Sequence, residues 1–351
     1  MDLSLFYFSA DARSAAADRY RLLMEGARFA DTHGFAAVWT PERHFHPFGG
    51  NYPNPAVTSA AIAATTHSVA VRAGSVVVPL HHVLRIAEDW AVVDNLAGGR
   101  AGISLASGWN RDDFLLRPGG YEERARLTRD AIDVLRRLWR GEELPAEAPG
   151  APAGPRIYPL PVAGPLPMWL TAGGSPQTFR DAGRAGVGVL THLANQDPAE
   201  LSARIADYRQ HYEAAGWPGR GHVVLMLHTY LDSSRAAAVA AVDEPLYDYL
   251  VSAMNLFQPS SAAGPVPSRA LRRLAVRPAH ERYLNQGLGL FGTVDDAESV
   301  VARFRQCGVD EIACLIDFGV PAERVLDSLQ HLDDLRRRVA DVVGPAPAPH
   351  R

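Results

Sequence analysis

The chain has 351 residues, 47% hydrophobic and 21% charged, with a net charge of −4, the profile of an ordinary globular protein able to bury a large core. All 35 basic residues are arginine, which excludes Schiff-base, pyridoxal-anchoring and P-loop lysine chemistry. The arginines are interspersed with Asp and Glu along helical stretches, against a nucleic-acid partner, and two cysteines, Cys307 and Cys314, are too few for a disulfide framework or a zinc site.

The N-terminus, MDLSLFYFSADAR, has no signal-peptide pattern, and no run of 18 apolar residues follows, so a soluble, cytoplasmic protein is expected. Its apolar run LSLFYF (3–8) predicts a first strand, and the three-and-four spacing of apolar residues over 19–34 predicts a helix. Strands follow at AAVWT (36–40), AGSVVV (73–78) and AGISLA (101–106), with helices over 83–99 and 124–141. The Pro/Gly/Ala-rich segment 143–167 can form neither helix nor central strand. Beyond it, strands are predicted at MWLTA (168–172), GVLTHL (188–193), HVVLMLHTYL (222–231) and DEIACLID (310–317). Segment 257–292 is irregular around the short helical RALRRLAV.

Eight strands alternating with helices predict one (β/α)8 TIM barrel over 1–343, with insertions at about 143–167 before strand 5 and 257–292 before strand 8, and a flexible tail at 344–351. Such a barrel builds its active site at the C-terminal ends of its strands. The residues that follow the predicted strands are Ser9, Glu42-Arg43-His44, His81-His82, Ser107 to Asn110, Gly173-Gly174-Ser175, Thr191-His192, Thr229-Tyr230 and Asp317. This polar set reads as an active-site rim, although any single cluster is also explained by loops being polar. After the fifth strand, Gly173 and Gly174 lead into a helix opened by Ser175, with Pro176 at its first position and Thr178 beyond. That arrangement suits a phosphate or other dianion, and a plain helix cap explains Ser175 equally well. His81 and His82, at the start of the third helix, are expected to stay neutral, because a helix N-terminus disfavours imidazolium. His33, His67, His211 and His331 read as surface residues of helical stretches, and no histidine spacing predicts a metal site.

From the first strand to the last helix the chain resembles the bacterial luciferase-like flavin-dependent monooxygenases, nearest the natural-product (polyketide and nonribosomal peptide) subgroup. The resemblance rests on PERHFHPFGGNYPNPAV (41–57), RAGSVVVPLHHVLRIAEDWAVVDNLAGGR (72–100), SGWNRDDF (107–114), LTAGGSPQTF (170–179), LTHL (190–193), GLFGT (289–293) and GVDEIACLIDFG (308–319). It implies reduced FMN, with the phosphate held at Gly174, Ser175 and Thr178 and the ring near Ser75, Ser107 and Thr191. It also implies a cis Gly74-Ser75 peptide. The family's Glu-His-His-Phe motif reads Glu42-Arg43-His44-Phe45 here, with Arg43 in place of the presumed base, so luciferase-type light emission is not expected. Ser107 stands where luciferase has a phosphate-binding arginine, so the phosphate grip differs.

On this resemblance the expected reaction transfers one oxygen atom from O2, by hydroxylation or Baeyer-Villiger insertion, to a secondary-metabolite intermediate, free or carrier-bound. Arg43 would stabilise negative charge developing on oxygen, His44 would transfer a proton and Glu42 would orient either; an Arg43–Glu42 ion pair that only braces the loop is the competing reading. A separate NAD(P)H:flavin reductase would supply the reduced FMN, the family often forms dimers while the residues leave the oligomeric state, homodimer or otherwise, open, and 257–292 is the expected lid. The alternatives are an F420-dependent hydride-transferring oxidoreductase and a non-catalytic flavin-binding barrel.

Overall fold

The computed structural model describes residues 1–8, 18–145, 154–162, 164–256 and 268–340; Ser9, part of each insertion and the tail lie outside the described residues. Its elements begin with β1 (Asp2–Phe6), α1 (Arg21–His33), β2 (Ala37–Thr40), α2 (Pro55–Ala63), β3 (Ala70–Val77), α3 (Val83–Ala97), β4 (Ala101–Ala106) and α4 (Arg124–Trp139). They continue with β5 (Met168–Ala172), α5 (Pro176–Ala185), β6 (Gly188–His192), α6 (Pro198–Ala214), β7 (Val223–Leu231), α7 (Arg235–Leu256) and α8 (Arg269–Asn285). β8 (Leu290–Gly292), α9 (Val294–Gln306), β9 (Glu311–Leu315) and α10 (Ala322–Val339) complete the chain. All strand pairings are parallel, and β1 to β7 with β9 close into an eight-stranded ring in which β7 pairs with both β6 and β9 and β9 pairs with β1. This is a (β/α)8 barrel. Ring strands are covered on both faces, which is why they read as nearly unbroken apolar runs.

The ring departs from the sequence reading in three places. β3 begins at Ala70, because Arg72 belongs to the strand and points its charge into the barrel. There Arg72 Nη1 meets Glu311 Oε2 at 2.8 Å, and its guanidinium stacks between Trp39 and Trp169 at 5.0 and 4.7 Å. Ser4 Oγ and Trp39 Nε1 donate to Glu311 Oε1 at 2.5 and 3.0 Å, completing a buried polar floor. The second departure is the seventh unit. α8 is a full 17-residue helix, and β8 pairs with Thr229 to Leu231 of β7, beyond the part of β7 that joins the ring. The third is His67, which follows α2 outside any helix and donates its backbone N–H to Asp31. Among the described residues of 143–167 there is no helix or strand before Pro167, as the composition dictates. No helix of the described residues is long and apolar enough to cross a membrane.

Candidate active site

The loop after β2 folds back on itself before Asn54 caps α2 by accepting from the N–H groups of Ala56 and Val57, with Pro55 at the first helical position. Arg43 N–H donates to Tyr52 O at 2.9 Å, and Gly49, at φ 82°, lets the turn press against the Arg43 side chain, where an added Cβ would sit 2.7 Å from Cγ. Glu42 and Arg43 are thereby buried at the C-terminal mouth of the ring.

Glu42 is the hub of this mouth. Its Oε1 accepts from His44 Nε2 at 2.9 Å and His81 Nε2 at 2.5 Å, and its Oε2 accepts from Val77 N–H at 2.7 Å. Burial pushes the Glu42 pKa up, but the bonds from His44 and His81 outweigh it and hold the carboxyl below its ordinary value. The same contact corrects the expectation for His81: burial lowers its pKa, yet the Glu42 carboxylate prevails and raises it, overriding the helix N-terminus. His82 is the N-cap of α3.

Arg43 pairs with Asp113 rather than Glu42, with Nη1 3.2 Å from Oδ2, and lies over Trp109 at 4.7 Å. Asn110 Nδ2 donates to the other Asp113 oxygen at 2.7 Å. Nε and Nη2 of Arg43 are enclosed and have no hydrogen-bond partner among the described residues. Burial pulls the Arg43 pKa down and pushes Asp113 up, each against the attraction of the other, so desolvation outweighs pairing in this ion pair.

These groups border a cavity of about 440 Å3 at the C-terminal ends of the strands. Glu42, Arg43, Ser75, Ser107 and Thr191 line it; His44 does not, and stands one hydrogen bond behind Glu42. Gly74-Ser75 is cis, as the resemblance implies. The Ser75 hydroxyl bonds to that of Thr171, which also meets Ser104 Oγ at 2.7 Å. Thr191 Oγ1 donates to Ala172 O at 2.7 Å and accepts from Gln196 Nε2 at 2.8 Å. Ser75 and Thr191 therefore shape the wall with hydroxyls already engaged, while Ser107 presents one that makes no hydrogen bond among the described residues.

Gly174, Ser175 and Thr178 form the adjoining rim at the start of α5, outside the lining itself. Ser175 is the N-cap but makes no side-chain cap bond, and the hydroxyls of Ser175 and Thr178 make no hydrogen bond among the described residues. Gly174 has φ 102°, and a Cβ there would meet Asn195 O at 3.0 Å and Arg204 Nη1 at 3.3 Å. Arg204, from α6, thus brings a cation to the α5 N-terminus, held by Gln196 Oε1 at 2.7 Å. Sequence reasoning passed over it because an arginine in an amphipathic helix looks like a solvated face. The rim position of β7 also differs from expectation. β7 outruns its neighbours, so Met226 and His228 line the cavity, while Thr229 and Tyr230 lie in the stretch that pairs with β8.

An uncapped helix start, a glycine that admits close approach, two free hydroxyls and a nearby arginine fit a phosphate-bearing cofactor. Among the described residues no cluster of three or more His, Cys, Asp and Glu side chains could hold a metal. A family model described as luciferase-like monooxygenase matches residues 1–311. The chain belongs to the luciferase-like monooxygenase family. A curated relative, the oxygenase component of a flavin-dependent trigonelline monooxygenase from Acinetobacter baylyi, is 26% identical over 332 residues, covering 89% of this chain and 88% of that protein. An F420-dependent glucose-6-phosphate dehydrogenase of Nocardia farcinica is 29% identical, over half of this chain and 55% of its own length. Among solved structures, monooxygenase RslO1 from Streptomyces bottropensis superposes with a TM-score of 0.79 at 23% identity, over 95% of this chain and 98% of that one. The FMN complex of a type II Baeyer-Villiger monooxygenase, the oxygenating constituent of 3,6-diketocamphane monooxygenase from Pseudomonas putida, has a TM-score of 0.76 at 16% identity, over 98% and 100% of the two chains. These two likenesses carry the fold; family membership makes the protein an oxidoreductase.

Proposed function

We propose that the protein is the oxygenase of a two-component system, binding reduced FMN delivered by a separate NAD(P)H:flavin reductase and transferring one oxygen atom from O2 to an organic substrate. The observation that carries this reading is the enclosed mouth itself, where a buried arginine with two unspent donors faces a cavity whose rim fits a phosphate. The reductase follows from the relative named as an oxygenase component. Reduced FMN, when bound, supplies the electrons that activate O2. Gly174, Ser175, Thr178 and Arg204 hold its phosphate in this reading, and the ring lies along the β3-to-β6 wall past Ser75, Ser107 and Thr191. The open cavity favours this over a barrel that has lost its chemistry.

The chain's own groups divide the remaining work. Arg43 keeps its charge when buried and aims Nε and Nη2 at negative charge developing on oxygen. Apolar walls keep water out. His44 moves a proton through the Glu42 hydrogen bond, and Glu42 fixes both imidazoles. Replacing His44 with Ala should leave FMN affinity within about threefold of wild type yet cut product formation about 100-fold. Full turnover in the variant would remove His44 from the mechanism. Parallel titrations with reduced FMN and reduced F420 separate this reading from hydride transfer.

A further inference from the structure

Beside the proposed cofactor wall, on β7 where it adjoins β6 and on the two helices that follow it, the cavity carries three polar side chains that nothing above employs. His228 is buried on β7, its Nε2 enclosed without a partner, and neither ring nitrogen hydrogen-bonds to a described residue. Tyr249 of α7 and Tyr283 of α8 also line the cavity, and their hydroxyls likewise make no hydrogen bond among the described residues. The His228 ring stands edge-on to both, with centroids at 4.6 Å to Tyr249 and 5.0 Å to Tyr283. Phe48 extends the wall, 4.9 Å from Tyr249 and 5.2 Å from Phe8. A buried polar atom in a folded protein is almost always satisfied, so the unpartnered His228 Nε2, with two phenol hydroxyls open to the same cavity, calls for a ligand.

Their protonation states say what kind. Burial raises both phenols above their ordinary pKa, so they remain donors. Burial lowers His228 to about 3, so the ring is neutral and brings no charge. An uncharged, donor-rich box walled by aromatic rings suits an acceptor oxygen on a flat apolar body.

We propose that His228, Tyr249 and Tyr283 form the substrate-recognition site, and that it takes an uncharged, ring-containing compound by its carbonyl oxygen. The assignment rests on the oxygenase reading for which wall faces the cofactor, and the hydrogen-bonding argument is independent of it. The two Tyr side chains determine specificity, and His228 positions the oxygen between them.

A matched pair of probes tests it: 1-tetralone, and tetralin, which lacks only the oxygen. Affinities are measured by calorimetry for wild type, Tyr249→Phe, Tyr283→Phe, His228→Leu and His228→Gln, together with the infrared carbonyl band of bound tetralone. Wild type should prefer tetralone by about tenfold, each Phe or Leu variant should lose most of that preference without weakening tetralin, and Gln should restore part of it. The bound carbonyl band should shift to lower frequency in wild type and revert in the variants. Equal affinities for the two probes, absence of binding, or a band that ignores the substitutions overturns the proposal. FMN titration of the same proteins keeps the readings apart. Loss of FMN binding in wild type with the tetralone preference intact sinks the oxygenase reading alone, and the converse sinks the recognition site alone.

Discussion

Glu42→Gln isolates the hub of the mouth. The amide oxygen can keep the Val77 N–H bond, which leaves the amide NH2 facing His44 and His81 where a carboxylate accepted from both. Two charge-assisted bonds at about 1.5 kcal/mol each are lost, so the variant should be less stable by about 3 kcal/mol. The deficit depends on pH with a definite sign. Glu42's depressed pKa gives stability that is present above its ordinary 4.5 and lost as pH falls through the lower native value. His81's raised pKa gives stability that is present below its ordinary 6.5 and lost as pH rises through the higher native value. Both contributions are complete between pH 4.5 and 6.5, so the deficit should peak there and shrink toward about 1 kcal/mol at high pH, where neutral His81 can accept from the amide. Urea denaturation of both proteins from pH 4 to 9 measures this, and NMR titration of the imidazole Cε1–H reads His81 directly. With the carboxylate gone, burial is opposed only by the charge of Asp89, and the His81 pKa should fall below its wild-type value. A deficit that stays flat across the range, or a His81 that titrates unchanged in the variant, refutes the reasoning.

Three further outcomes follow from the same geometry. Gly49→Ala combines φ 82° with a Cβ 2.7 Å from Arg43 Cγ, whereas Gly98→Ala has φ 62° and nothing within 4 Å. The first should cost about 3 kcal/mol and the second about 1, compared by chemical denaturation. Glu311→Gln breaks the buried pair with Arg72 and should cost about 3 kcal/mol, seen as a lowered melting temperature with the cavity mouth unaffected in FMN titration. Gly174→Ala pushes a methyl toward Asn195 O and Arg204, and should weaken FMN about tenfold by fluorescence titration while leaving overall stability within about 2 kcal/mol.

The barrel was legible because a strand covered on both faces must be apolar along its length, and eight such runs announce themselves. Glu42 and Arg43 were legible for the opposite reason, as charge set directly against a buried strand. The residues that sequence reasoning missed are those where these signals cancel. Arg72 and Glu311 neutralise each other inside the ring, so Arg72 reads as lying just before its strand and Glu311, within DEIACLID, gives no sign of a buried partner. Asp113 is one of two adjacent aspartates in a short turn, and only the fold shows which of them is buried against Arg43. His228 sits within HVVLMLHTYL and could have been found by counting: strand alternation puts Met226 and His228 on one face, and the cavity identifies that face as the inner one. Tyr249 and Tyr283 come from helices whose approach to the mouth no local pattern fixes. Of the described residues of 257–292, Tyr283 on α8 and Leu288 in the following loop line the cavity, and α7, ahead of that segment, supplies Tyr249, Leu250 and Ala253.

The most direct test loads the protein anaerobically with reduced FMN and, in parallel, with reduced F420, measures both affinities, then admits air and records oxygen uptake. The account predicts binding of reduced FMN about tenfold or more tighter than of reduced F420, with oxygen consumed by the FMN-loaded protein and one labelled oxygen atom from O2 recovered in a converted substrate. Tighter binding of reduced F420, with no oxygen uptake on either cofactor, would contradict it.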